Sequence, residues 1–428
     1  MFKNILSTIT TRILVALLTL IMVLVNARYL GAEKVGTIGL IILAIAILQL
    51  VSNLIGGGAL VYLVPRSQLV KIFLPSCVWA ILTSALGTFL LNILHLIPTG
   101  YAVHVFFLAL LLSLFTVNFM VLMGEERIRA YNIISLLQVM ILFAVLMVFF
   151  FGLRKREVIV YLYGLYISYI FAFLSSLILI VPSLKKKEIL GSGKIIRELI
   201  HLGSVMQLGN ILQFFNYRLS YYFIEFFLKR AAVGVYSVGV QLSESIWLIA
   251  KSIHLVQYTR ISNEKDGKYA AKLTLDLVKI SFFLTLLSLI LILILLNMFF
   301  SLIFKPEFQQ VPVIMYTLAA GILTFSISII LSPYFSGLGK PIHNTISAAI
   351  GLLFTLVLCI FLIPRLGLVG AGLAATFSYI TATLYQFIVF IKMTKVKPAD
   401  FLLRKDDILI IVKEVKKMIN ASRVTRHA

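Results

Sequence analysis

The sequence predicts an all-α polytopic membrane protein, with twelve transmembrane helices in two six-helix lobes around a central cavity. Three observations carry that expectation. Hydrophobic residues make up 61% of the 428-residue chain and charged residues only 13%, and the mean hydropathy of +1.07 lies far outside the range of a water-soluble domain. The apolar residues fall into stretches of about 20, the length a helix needs to cross the hydrocarbon core. Most of the charge is confined to short segments between them, as expected where a helix must satisfy every backbone polar group without water.

In chain order the spans read as 5–27, 36–56, 72–94, 104–123, 132–152, 158–181, 201–224, 233–256, 277–300, 312–334, 344–363 and 367–391. The first has only Lys3 ahead of it and no small-residue cleavage pattern after it, so it reads as a retained helix rather than a signal peptide. The second runs into Gly56-Gly57-Gly58 and the tenth contains Pro333 near its end. Both features can bend a helix that must move, and glycine also permits close packing. Cys77 and Cys359 fall inside spans without metal-ligand spacing and read as core packing.

The longest internal polar stretch, Pro182 to Glu198, divides the spans six and six. The expected units are therefore 1–190, an N-terminal lobe, 191–394, a C-terminal lobe, and 395–428, a basic tail. In that tail Ile408, Val412, Val415 and Ile419 recur at helical spacing among Lys413, Lys416 and Lys417, which fits an amphipathic helix on an anionic leaflet or a short solvated helix. The two halves echo each other. Leu30, Val35 and Gly36 match Leu228, Val233 and Gly234 at an offset of 198, Ser168-Tyr169 matches Ser378-Tyr379 at 210, and Asn132 matches Asn344 at 212. Such an order is consistent with a duplicated unit, a common transporter plan.

The net charge of +22 is mainly topology, not a nucleic-acid surface. Alternate loops carry Lys185, Lys186, Lys187, Lys194 and Arg197, then Arg260, Lys265, Lys268 and Lys272, then the basic tail. The opposite loops are sparser, with Arg28, Lys34, Arg154, Lys155, Arg156, Lys229, Arg230, Lys305 and Arg365. The positive-inside rule then puts both termini in the cytoplasm.

Ionisable groups inside spans are costly and point to function or to partners. Span eight carries Gln241, Glu244, Trp247, Lys251, His254 and Tyr258 on one helix face, and span seven carries Gln207, Asn210, Phe214, Tyr217, Arg218, Tyr221, Tyr222 and Glu225. Span one adds Arg12, Thr19 and Asn26, and Arg66 follows span two. Guanidinium and ammonium groups among aromatic and amide side chains suit an anionic, sugar-rich ligand. Candidate substrate-binding residues are Arg12, Arg66, Tyr217, Arg218, Tyr221, Trp247, Lys251 and His254, with Glu244 as a candidate for ion coupling. Snorkelling or helix packing accounts equally for Arg12, Lys251 and His254, topological anchoring for Arg66, a Glu225 partner for Arg218, and a partner on span seven or Lys251 for Glu244. No Walker-type loop, metal-spaced His/Cys cluster or nucleotide-sized soluble domain occurs, so neither an enzyme nor a cofactor or metal is expected.

The chain resembles the multidrug/oligosaccharidyl-lipid/polysaccharide exporter superfamily, and within it the O-antigen and capsule repeat-unit flippases. The likeness is carried by Ala27-Arg28-Tyr29-Leu30-Gly31-Ala32-Glu33-Lys34-Val35-Gly36, with Gly56-Gly57-Gly58-Ala59 and Asn210 with Arg218 similar in kind. It implies a cationic cavity between the lobes that opens alternately to each face of a bacterial inner membrane. The implied substrate is a polyprenyl-pyrophosphate-linked sugar repeat unit, with Arg12, Arg218 and Lys251 as cavity residues. Membrane lipids, a polysaccharide polymerase and chain-length proteins are the implied partners, with no nucleic acid. A cation-coupled multidrug exporter and a non-transporting scaffold of polysaccharide assembly are the alternatives. The exporter is disfavoured because the acids of the first half, Glu33, Glu125, Glu126, Glu157 and Glu188, all lie in loops or at span ends.

Overall fold

The computed structural model describes residues 2–184, 192–262 and 267–401. The Lys185–Gly191 part of the expected lobe boundary, and the tail beyond Phe401, lie outside the described residues. Those residues form helices and short turns with no strand. The first group is α1 (Phe2–Leu30), α2 (Ala32–Gly56), α3 (Gly58–Leu63), α4 (Leu69–Ile93), α5 (Ala102–Gly124), α6 (Ile128–Met147) and α7 (Val158–Ile180). The second is α8 (Ser192–Leu228), α9 (Arg230–Ser245), α10 (Trp247–Ser262), α11 (Gly267–Ile303), α12 (Val311–Gly337) and α13 (Ile342–Thr394).

Among the described residues nine helices are long and apolar enough to cross a membrane, and the bent pair α9 and α10 makes a tenth. The difference from the expected twelve lies in two places. One is α8, whose many polar residues keep its hydropathy low. The other is α13, which breaks at Gly367, where φ is 59° and ψ is −135°. Only glycine adopts that backbone readily, so the break falls there. Its two arms lie side by side, joined by Gln386 donating to Asn344 at 3.0 Å and Ser347 donating to the Ala382 carbonyl at 2.8 Å. Leucine and phenylalanine side chains on the outer surfaces stay uncovered, as on Leu86 and Phe89, because acyl chains would cover them.

The two groups meet along α2, which packs against α8 and α9. At one end Gly36 crosses Gly234. A side chain on Gly36 would overlap the Arg230 carbonyl, and one on Gly234 would overlap the Ala32 carbonyl, so the absence of both side chains sets the backbone approach. These glycines are the pair matched at an offset of 198, so the matched positions touch one another. Toward the other end of α2, Gly203 rests on the Leu54 carbonyl and Gln207 donates to the Leu50 carbonyl at 3.2 Å. A further matched pair appears at the offset of 210. Phe115 packs on Tyr169 with ring centroids 5.4 Å apart, and Phe325 packs on Tyr379 at 5.1 Å.

Candidate functional site

Arg218 on α8 meets Glu244 on α9 in a two-pronged ion pair, Nη1 donating to Oε1 at 2.8 Å and Nη2 to Oε2 at 2.7 Å. The side chains are 25% and 14% exposed. Both alternatives weighed for Arg218 and Glu244 are thereby resolved. Glu225 instead takes Arg230 at 3.1 Å, across the turn at Lys229 that joins α8 to α9. One residue beyond Ser245 the span breaks, and α10 departs from α9 at 46°. Glu244 therefore stands at the end of one arm, beside the break.

Arg218 lines a cavity of about 160 Å³ between the two groups of helices, with Gly39, Ile42, Leu43 and Ala46 of α2 on the facing wall and Tyr221, Ser237 and Gln241 beside it. A smaller cavity of about 70 Å³ shares Ser237 and Gln241 and adds Thr19, Asn26 and Tyr161. Both are smaller than the ~300–1,000 Å³ of a drug-sized site.

The remaining candidates divide by surroundings. Lys251 is exposed, with Nζ 5.7 Å from the Trp247 ring centroid, and it interacts electrostatically with both Glu244 and Arg218. Arg12 is exposed on α1 and interacts electrostatically with His254 on α10. Of Arg12, Arg218 and Lys251, Arg218 alone lines either of these two cavities. Arg66 folds back on its own turn, donating to the Tyr62 carbonyl at 2.7 Å with its guanidinium 3.9 Å above the Tyr62 ring.

Trp247 is 1% exposed, and its indole N–H donates to the Ile322 carbonyl at 3.0 Å. Its ring packs among Tyr217, Phe325 and Tyr379 at centroid distances of 5.7, 5.0 and 5.5 Å. Tyr221, 4% exposed, lies against Tyr236, with the Arg218 guanidinium 5.6 Å from its own ring. The ion pair meets these rings through Tyr221.

His254 has a local physical cause. Pro333 has no N–H, so the Ile329 carbonyl four residues earlier loses its helix partner. His254 Nδ1 supplies the missing hydrogen bond at 3.0 Å. A carbonyl only accepts, so Nδ1 carries the proton. The sequence shows Pro333 as a residue that can bend its own helix, whereas its consequence lies on another.

Two features escaped the sequence reading. Asn216 on α8 accepts from Thr355 at 2.8 Å and from Ser378 at 2.5 Å, tying α8 to both arms of α13. Lys279 on α11 is only 7% exposed and is not without a partner, and Asp276 stands one turn earlier on the same helix.

Comparison with solved structures gives the architecture its context. An inward closed conformation of the lipid II flippase MurJ superposes with a TM-score of 0.73, at 16% identity over 94% of this chain and 89% of that one. The fold is that of MOP-superfamily transporters. An inward-facing multidrug resistance MATE family transporter gives 0.69 at 14% identity, covering 88% of this chain and 94% of that one. A MOP superfamily transporter from Pyrococcus furiosus, described as having a binding pocket of reversed polarity, gives 0.63 at 15% identity, covering 92% and 94%. In sequence, an uncharacterized membrane protein of Methanocaldococcus jannaschii is 24% identical over 213 residues, 48% of this chain. The matched region spans 42% of that relative's length. No family model matches the chain.

Proposed function

We propose that this chain is a flippase that moves a polyprenyl-pyrophosphate-linked oligosaccharide repeat unit from the inner to the outer leaflet of a bacterial inner membrane by alternating access, for surface polysaccharide assembly. The observation that supports it is a guanidinium, Arg218, facing a cavity between the helix groups, with Lys251 in electrostatic reach. Two fixed cations beside hydroxyl, amide and aromatic groups match a diphosphate joined to sugars. Arg12 would attract the headgroup on its way in. Trp247, Tyr217 and Tyr221 would hold Arg218 in place from behind rather than stack on sugar, and Arg66 would contact the headgroup only at the loop. With both termini cytoplasmic, an inside-negative potential favours export, roughly 4 to 5 kcal/mol for two negative charges at 100 mV. Polymerase and chain-length proteins would receive the product.

A cation-coupled drug exporter shares this fold. Glu33, Glu125, Glu126 and Glu157, acids of the first helix group, stand at helix ends or between helices, where a coupling carboxylate deep in the first lobe is lacking.

Reconstitution in proteoliposomes with a fluorescent pyrophosphate-linked glycolipid tests the reading. Lys251→Gln and Arg218→Gln should each slow translocation at least tenfold while the protein stays monodisperse. Wild-type rates in both variants would refute the site, and transport of cationic drugs with no glycolipid movement would favour the exporter.

A further inference from the structure

We infer that Glu244 is the resident counter-anion of Arg218, a carboxylate that the diphosphate of the incoming substrate displaces. The inference rests on the flippase reading and adds what the site does before substrate arrives. Both carboxylate oxygens of Glu244 engage both terminal nitrogens of Arg218, which is the fork geometry a phosphate group takes on arginine. A guanidinium inside a membrane protein is strongly destabilising without a partner, so an anion seat built on arginine needs an occupant while empty of substrate. Glu244 fills that role from the neighbouring helix, next to the break that separates α9 from α10.

The other groups electrostatically linked to the pair explain how a diphosphate can win the exchange. Tyr217, Tyr221, Tyr236 and Tyr379 surround it as neutral rings, and Lys251 is the second cation. Among the described residues no carboxylate forms an ion pair with Lys251. Glu244 has one anionic group, and both its oxygens are engaged by Arg218. A diphosphate has two such groups, so it can replace the carboxylate on Arg218 and still draw on the field of Lys251. Orthophosphate carries less charge and spans a shorter distance, so it competes less well, and a neutral or cationic compound displaces nothing. Glu244 is therefore a specificity-determining residue that rejects weaker anions by competing with them.

The sign of the coupling follows from linkage. A cation that neutralises Glu244 releases Arg218, so cation and diphosphate assist each other's binding. An antiporter needs its two cargoes to exclude each other. The arrangement thus assigns Glu244 to guarding the seat, not to an exchange of substrate for a cation.

Binding of inorganic pyrophosphate and of orthophosphate to the full chain in nanodiscs, measured by titration calorimetry, tests this. Glu244→Gln should bind pyrophosphate at least tenfold more tightly than wild type and discriminate less between the two anions. The Arg218→Gln/Glu244→Gln double variant should lose the gain. Equal or weaker binding in Glu244→Gln overturns the inference while leaving the flippase reading intact. Absence of pyrophosphate binding in wild type and variant alike overturns both. If Glu244→Gln does not fold, difference infrared spectroscopy on wild type reads the same event. The carboxylate stretch of Glu244 should shift when pyrophosphate is added, and an unchanged band overturns the inference.

Discussion

Adding a single methyl group at Gly234 tests whether the backbone crossing of α2 and α9 holds one end of the bundle shut. A Cβ at Gly234 would stand 2.9 Å from the Gly36 nitrogen and closer still to the Ala32 carbonyl. Carbon and backbone atoms prefer about 3.5–4.0 Å, so relieving the overlap with the Ala32 carbonyl requires the helices to part by more than about one ångström. Neither obstacle is a flexible side chain that could turn away. Overpacking of this kind costs roughly 1–3 kcal/mol, and if only the closed state bears it, the closed-to-open ratio falls about 5–150-fold. Spin labels at the exposed positions Lys34 and Lys229 flank the crossing, and double electron–electron resonance in nanodiscs, with Cys77 and Cys359 replaced by alanine, reads their separation. Gly234→Ala should broaden the distribution toward longer distances, and Gly234→Val should do so further. Gly152→Ala, at a position where a Cβ would meet nothing within 4 Å, should leave it unchanged. If Gly234→Ala and Gly152→Ala give the same distribution as the parent, the crossing does not hold that end closed.

Two other perturbations follow from the contacts. Glu307, in the turn Pro306–Phe308, accepts from the Ala32 N–H at 2.7 Å and so caps α2 from the other helix group; Glu307→Ala should remove about 1 kcal/mol from the same closed state and shift the Lys34–Lys229 distances in the same direction as Gly234→Ala. An unshifted distribution would show that the cap is local. Trp247→Phe keeps an aromatic ring but removes the donor to Ile322, and it should lower stability by roughly 1–3 kcal/mol in mixed-micelle unfolding with a smaller effect on glycolipid affinity. Wild-type stability together with lost affinity would instead make the indole a ligand contact.

The helical membrane architecture was legible because the rule behind it is local. A segment about 20 residues long without water must close its own hydrogen bonds, and apolar length reveals such a segment. Two spans escape a hydropathy count for physical reasons, one by its polarity and one by merging with its neighbour. The polar groups of α8 belong to its contacts with α2, α9 and α13, and Gly367 turns what reads as one long helix back on itself. The pairing of Arg218 was not legible. Glu225 and Glu244 were both available to it, and only the positions of α8 and α9 in space direct Arg218 to Glu244 and Arg230 to Glu225. The role of His254 was half written in the sequence, since Pro333 announces an orphaned carbonyl without naming the donor.

The sequence by itself determined the solvent, the helices and the few residues able to carry charge within a membrane, because each follows from the chemistry of a short segment. The tertiary structure decided which of those charges neutralise each other, which rings are packing and which two glycines touch. Those outcomes depend on distances between helices far apart in the chain, and side-chain periodicity along one helix holds no information about what stands opposite it.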